Sequence, residues 1–243
     1  MTTEVGTMAG PGGAQAVRRA LDVLHSFHDN GPDLSASDLA RRLGLSTSTA
    51  HRLAKTLLAA GFLEQDAGTA RYRLGPAVTE LGRLSYHQRR LHLASPELRD
   101  LAERTGTTAD LALRSGSYAV VVAGGTVAPR AGLRRSLHAS APGRVLLAWH
   151  EPGHEAFTHV HGSAGVREQG YVLDDGESEL GVRTLAVPVL GRDGRARFAL
   201  ALRATPSVIT DARLGWFLVR ARACARALEV LLLPPTERRT PEA

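Results

Sequence analysis

Apolar residues recur at helical spacing from Gln15 to His28, where Val17, Ala20, Leu21, Leu24 and Phe27 fall on one side of a predicted helix. From Leu34 to Leu74 the pattern changes period several times, and it predicts a helix, a tight turn, a second helix and a short hairpin. Ser35 stands as an N-cap, Asp38 can answer it from three residues on, and Leu34 with Leu39 makes a hydrophobic staple. Gly44 closes that helix. Leu45-Ser46 repeats the start signal, and Thr47 to Ala60 then brings Ala50, Leu53, Ala54, Leu57 and Leu58 to one face. The opposite face carries Thr47, Ser48, His51, Arg52 and Lys55. After Gly61, Phe62 to Gln65 and Arg71 to Leu74 alternate as two strands around a tip at Asp66-Ala67-Gly68-Thr69-Ala70.

This order outlines a winged helix-turn-helix. Hydroxyls at a helix start with cations one turn on suit a helix end in the major groove, where amides and hydroxyls meet phosphates and Arg52 can read guanine bidentately. The candidate DNA contacts are Arg41, Ser46, Thr47, Ser48, Thr49, His51, Arg52 and Lys55, with Arg71 and Arg73 adding two charges to one face of the wing. Hydroxyl-rich helix starts are often only caps; the basic hairpin that follows favours DNA.

Beyond the wing, Gly75-Pro76 opens a helix to about Arg90 that reads as a connector, or equally as a fourth helix of the winged domain. Ser95-Pro96 predicts another helix start, with Gly106 as its stop. Strand-like runs follow at Ala109 to Arg114, Tyr118 to Ala123, Leu133 to His138, Thr184 to Leu190 and Ala196 to Arg203. Turn chemistry at Ser115-Gly116 and Gly191-Arg192-Asp193-Gly194 predicts antiparallel hairpins. Helices at Gly143 to Trp149 and Asp211 to Leu233 are expected to cover one side of that sheet. The fold class is α+β, with a disordered tail at 1–13, a winged domain at 14–75, a linker helix at 76–94, a sensor-like domain at 95–233 and a tail at 234–243.

Composition narrows this little further. The 243 residues hold two modest domains with 43% hydrophobic residues, and the net charge of +6 favours a polyanionic partner. Lys55 is the single lysine among 30 basic residues, which reflects codon bias more than phosphate selection. Cys224 alone leaves no disulfide framework and sits in a helical apolar pattern as packing. No apolar run approaches about 18 residues and no signal pattern opens the chain, so no membrane is expected and the compartment reads as cytoplasmic.

Five motifs in order carry a resemblance: Arg19-Ala20-Leu21-Asp22-Val23-Leu24, the run from Leu39 through Arg52-Leu53, Tyr72-Arg73-Leu74-Gly75-Pro76, Leu137-His138-Ala139-Ser140-Ala141-Pro142-Gly143, and Gly170-Tyr171 with Asp174-Asp175-Gly176-Glu177. The chain resembles the isocitrate lyase regulator (IclR) family of bacterial transcription factors from Gln15 to Leu232. The resemblance implies a ligand-responsive, sequence-specific regulator, a repressor controlled by a small organic or aromatic acid. Its implied parts are a winged helix-turn-helix, a linker helix and a GAF-like effector domain, and its implied partners are operator DNA, the effector and further copies, as homodimers or tetramers. By motif, the effector pocket falls at Ala141, Pro142 and Gly143, at Asp174, at Thr184, and at two positions of the strand ending at Arg203. Acid-binding relatives place small hydroxyl residues at those last two positions, where this chain has Ala201 and Arg203. A larger anionic or aromatic ligand is therefore expected in place of the smallest keto acids. The segment from His150 to Gly170 is short beside relatives, which leaves one pocket wall missing or open.

Read without the family, Leu133, Arg135 and Leu137 share one strand face, as do Ala199, Ala201 and Arg203. If these faces converge, Arg135 and Arg203 hold a carboxylate bidentately. The alternatives are that both face solvent, or that Arg203 pairs with Asp174. His138 is read as a structural histidine on the other strand face. The competing function is a small-molecule enzyme or metal protein built on His150, His154, His159 and His161. Glu151-Pro152-Gly153 breaks the helix that would align the first pair, and no acidic or cysteine partner falls at ligand spacing, so neither a metal, a cofactor nor a catalytic residue is expected.

Overall fold

The computed structural model describes residues 11–28, 33–124, 132–150 and 163–239. These fall into two compact units, 1–85 and 86–243.

In the first unit, α1 (Pro11–His25), α2 (Ala36–Leu43) and α3 (Thr47–Ala59) precede a hairpin of β1 (Leu63–Gln65) and β2 (Tyr72–Leu74). The predicted cap forms: Ser35 Oγ accepts the Asp38 amide at 3.1 Å, and Asp38 Oδ2 accepts the Ser35 amide at 3.1 Å. Those bonds, the Ser35 side chain first, hold the Asp38 carboxyl below its ordinary value. Gly44 ends α2 at φ 61°, the left-handed conformation a helix stop requires. Val23, Leu34, Leu39, Ala50, Ala54, Leu63 and Tyr72 pack into one buried cluster. Leu34 also exchanges two 2.8 Å backbone bonds with Tyr72, so the wing is tied to the start of α2. Next comes α4 (Pro76–Gln88), none of whose residues is buried, and the boundary between the units falls inside it. Arg90 then takes φ 56° and breaks the helix.

The second unit begins with a 3-10 turn at Leu91–Leu93 and α5 (Ala94–Thr105). The predicted cap at Ser95 does not form. The helix starts at Ala94, two residues before Pro96, without a side-chain cap, because the preceding turn supplies its backbone lead-in, and Ser95 Oγ lies 3.2 Å from the Tyr86 hydroxyl. The remaining elements are β3 (Thr108–Ser115), β4 (Tyr118–Gly124), β5 (Arg134–Ser136), α6 (Ala141–Ala148), α7 (Ser163–Gln169), β6 (Val172–Asp175), β7 (Arg183–Leu190), β8 (Ala196–Ala204) and α8 (Leu214–Leu232). Among the described residues, six strands form one antiparallel sheet in the order β5-β4-β3-β8-β7-β6.

The expectation that α6 and α8 share a side of this sheet is corrected. Strand residues alternate between two apolar clusters: Leu111, Leu185, Leu200 and Leu202 pack with α5 and α8, while Ala112, Ala186, Ala199 and Ala201 pack with α6. The sheet is therefore covered on both faces. Alanines line the α6 face, and the first turn of α6 packs on the turn after β5, where a Cβ on Gly143 would stand 2.4 Å from the Leu137 carbonyl oxygen. Two further expectations change. Strand β6 has no counterpart in the sequence reading, since its four residues are too few to show a period. His138 lies exposed in the turn after β5, not on a strand face. Cys224 is packing, as read; burial pushes its thiol up to about 12.

Candidate functional site

The first candidate surface is the outer face of α3. Ser46 caps the helix by accepting the Thr49 amide at 3.3 Å, and its hydroxyl lies 3.1 Å from Ser48 Oγ and 2.8 Å from Thr49 Oγ1. Thr47, Ser48, His51, Arg52 and Lys55 are exposed, while Thr49 is half-buried. His51 is anchored from below by the buried Tyr72, whose hydroxyl lies 3.2 Å from its Nδ1. Among the described residues, the side chains of Arg52 and Lys55 make no hydrogen bond or ion pair. They are two solvated cations on a capped helix whose free amides also point outward, the arrangement that attracts phosphates.

The other basic residues read from the sequence are placed differently. Arg41 donates to Asp38 at 2.8 Å. Arg71 lies outside β2 and turns back toward α2, where it meets Asp33 at 3.4 Å and Asp38 at 3.3 Å. Arg73 sits opposite Glu64 in the hairpin register and pairs with it at 2.6 Å. Neither wing charge stands free of a partner: Arg71 staples the wing to the start of α2 and Arg73 is compensated across the hairpin. Exposed pairs of this kind contribute little to stability.

The second candidate is a cavity on the α6 face of the sheet, of about 20 Å³, lined by Asp110, Ala112, Val121, Leu133, Arg135, Ser140, Pro142, Ser178, Thr184, Ala201 and Arg203. Six residues named from the sequence come together here: Leu133, Arg135, Pro142, Thr184, Ala201 and Arg203. The other three stand beside it. Ala141 and Gly143 are buried in the first turn of α6, packed on the Leu137 backbone. Asp174 is fully buried, and its Oδ1 accepts the amides of Glu177 at 2.8 Å and Ser178 at 3.3 Å. It shapes the acidic turn and does not line the cavity.

The strand faces that carry Arg135 and Arg203 do converge. Arg135 Nη2 donates to Glu179 Oε2 at 2.5 Å, and Arg203 Nη2 donates to the same oxygen. Arg203 Nη1 also stands 4.0 Å from Asp110 Oδ2. The alternative pairing of Arg203 with Asp174 does not occur, although Asp174, Thr184 and Arg203 occupy one row across β6, β7 and β8. Burial is deep on one side: the side chains of Asp110 and Arg203 are 4% and 9% exposed, against 25% for Arg135 and 35% for Glu179.

Sequence reasoning missed Asp110 and Glu179. Asp110 is a charge inside the apolar run Ala109 to Leu113, a visible anomaly for a strand buried on both faces. Glu179 carries no such signal, because an acidic residue in a Gly-bounded turn looks solvated. Among the described residues, no three His, Cys, Asp or Glu side chains gather as a metal site. His154, His159 and His161 lie outside the described residues, as does most of the segment from His150 to Gly170 that was expected to be short. Its described end is α7, whose Arg167 donates to the Ala148 carbonyl of α6.

Comparison with known proteins adds an independent line. Residues 16–67 match the model of the IclR helix-turn-helix domain, and residues 163–230 match that of the bacterial transcriptional regulator IclR C-terminal region. The HTH-type transcriptional regulator XynR of Escherichia coli strain K12 is 34% identical over 244 positions, covering 88% of this chain and 95% of that protein. The HTH-type transcriptional repressor AllR of the same strain is 30% identical over 229 positions, covering 83% of this chain and 84% of that protein. A crystal structure of an ICLR transcriptional regulator from Silicibacter sp. TM1040 aligns with a TM-score of 0.80 at 28% identity, covering 93% of this chain and 98% of that one.

Proposed function

The chain belongs to the IclR family of bacterial transcription regulators, and on that premise we propose that it is a repressor whose hold on a palindromic operator is modulated by a small organic or aromatic acid. We assign DNA reading to residues 14–75, a connecting role to 76–94 and effector binding to 95–233. Action on chromosomal DNA places it in the cytoplasm. The observation that carries the DNA assignment is the pair Arg52 and Lys55, exposed on α3 beside hydroxyl residues and free of ion pairs among the described residues. Arg52→Ala is expected to weaken binding to an operator selected from random duplexes by about 1 to 3 kcal/mol and to relax one base position. Lys55→Ala should lower affinity for all duplexes alike and reduce the salt slope by about 1, with a smaller effect for Arg73→Ala because Glu64 already pairs with it. Equal losses on selected and random DNA for Arg52→Ala would remove α3 from base recognition.

A second copy completes the reading, because one winged module contacts too few bases to specify a genomic site. Val17 and Leu21 of α1 are 62% and 52% exposed, and Leu81 and Leu84 of α4 are each 52% exposed. These apolar positions are the proposed dimer surface. Light scattering at micromolar concentration should give a dimer, converted to monomer by Leu81→Glu with Leu84→Glu; a wild-type monomer with and without DNA contradicts the assignment.

The effector site is the cavity that holds Arg135 and Arg203. Two guanidinium groups aimed at one carboxylate oxygen suit an organic anion, and Ala201 leaves room for a chain or ring. Arg203→Ala is expected to lower carboxylate affinity about ten- to a hundredfold by calorimetry, the range for a partly desolvated charged contact. Tight binding of glyoxylate or pyruvate, or an unchanged affinity in the variant, would overturn this pocket.

A further inference from the structure

We propose that Glu179 is a specificity-determining residue of this pocket: its carboxylate occupies the place of the effector's carboxylate, and a ligand enters by displacing it. The proposal rests on the effector reading above and adds an internal competitor to it. Its first support is geometric. Arg135 and Arg203 come from strands β5 and β8, which are not neighbours in the sheet, yet both donate to the single oxygen Oε2 of Glu179. Its second support is space. The cavity beside the pair measures about 20 Å³, room for about one water, and the donors that an acid would use on Arg135 and Arg203 are taken by Glu179.

The third support is that Glu179 reaches the arginines from outside the sheet. It belongs to the turn between β6 and β7, bounded by Gly176 at φ 88° and Gly181 at φ 74°, and the next residue, Leu180, is 96% exposed. The turn is held by its own backbone: Asp174 caps Glu177 and Ser178, and the Val182 amide donates to the Glu179 carbonyl at 3.1 Å. The Glu179 side chain can therefore swing to solvent by side-chain rotation while the turn stays in place.

Charge arithmetic then sets the ligand class. Without Glu179, Arg203 keeps Asp110 at 4.0 Å, and Arg135 loses the one ion-pair partner it has among the described residues. Glu179 contributes one negative charge to the two arginines, so a ligand that takes its place with one carboxylate leaves the charge of the site unchanged. A ligand with one carboxylate is favoured, a dicarboxylate brings an unmatched charge into a partly buried site, and a neutral amide cannot replace Glu179. The competition also lowers apparent affinity by the fraction of molecules in which the site is vacant.

The test compares the full-length wild type with Glu179→Ala and Glu179→Gln, using sodium acetate and sodium benzoate as probes against sodium chloride at equal ionic strength, with succinate and benzamide as controls. Melting temperature and calorimetry are the readouts. Acetate and benzoate should raise the melting temperature of Glu179→Ala in proportion to their concentration, and benzoate should bind it at least about tenfold more tightly than wild type, the gain expected if Glu179 fills the site in nine molecules of ten. Succinate should act more weakly and benzamide not at all, and adding Arg135→Ala should abolish the effect. Should Glu179→Ala not fold, Glu179→Gln carries the test, since the amide keeps the shape and removes the charge. Benzoate binding that is equal in wild type and both Glu179 variants but lost in Arg203→Ala overturns the role of Glu179 and leaves the two-arginine site standing. Carboxylates that bind none of the proteins overturn both.

Discussion

A sheet covered on both faces has no place for a lone charge, and this constraint organises the effector unit. Strands β3, β7 and β8 lie between α6 on one side and α5 with α8 on the other, so nearly every strand position is apolar. Of the buried polar residues in these strands, Asp110, Thr184 and Arg203 stand around one cavity on the α6 face, while Arg183 of β7 is held by Asp175 and Asp211. Burying a guanidinium without a partner costs far more than packing returns, so Arg203 is flanked by Asp110 within the sheet and by Glu179 from a turn. The two partners differ in kind. Asp110 is held by a strand, whereas Glu179 is delivered by a turn that can withdraw it.

The DNA-binding unit obeys the opposite rule. Arg41, Arg71 and Arg73 are paired and serve the local architecture, with Arg71 joining wing to α2. Arg52 and Lys55 stay in water, where a charge costs nothing to keep and is available to a phosphate or a base edge. Useful switching needs a coupling of only about 1 to 3 kcal/mol between the two functions, and that coupling must be reciprocal.

The sequence made the first unit legible almost residue by residue. The cap at Ser35, the stop at Gly44 and the polar face of α3 depend on neighbours within one or two turns, which local pattern records. The partners of the wing charges were not legible, because Asp33 and Asp38 lie more than thirty residues away in sequence and Glu64 on the opposite strand. In the second unit strand positions were legible but their covering was not: alternation along β8 marks two faces without telling which helix lies on each. Six residues named from the sequence line one cavity, since strand parity places Arg135, Ala201 and Arg203 on the α6 face. Glu179 stayed hidden because nothing local distinguishes a turn carboxylate in solvent from one folded over a pair of arginines.

The most direct test of this account is a double-mutant cycle between Arg203 and Glu179, read by urea unfolding. Tryptophan fluorescence is the probe, since both tryptophans, Trp149 and Trp216, belong to the effector unit and report on it alone. The account predicts that the single losses are not additive, with a coupling of about 1 to 3 kcal/mol between the two positions. Losses that add to within about 0.3 kcal/mol would show that the pair does not organise the pocket.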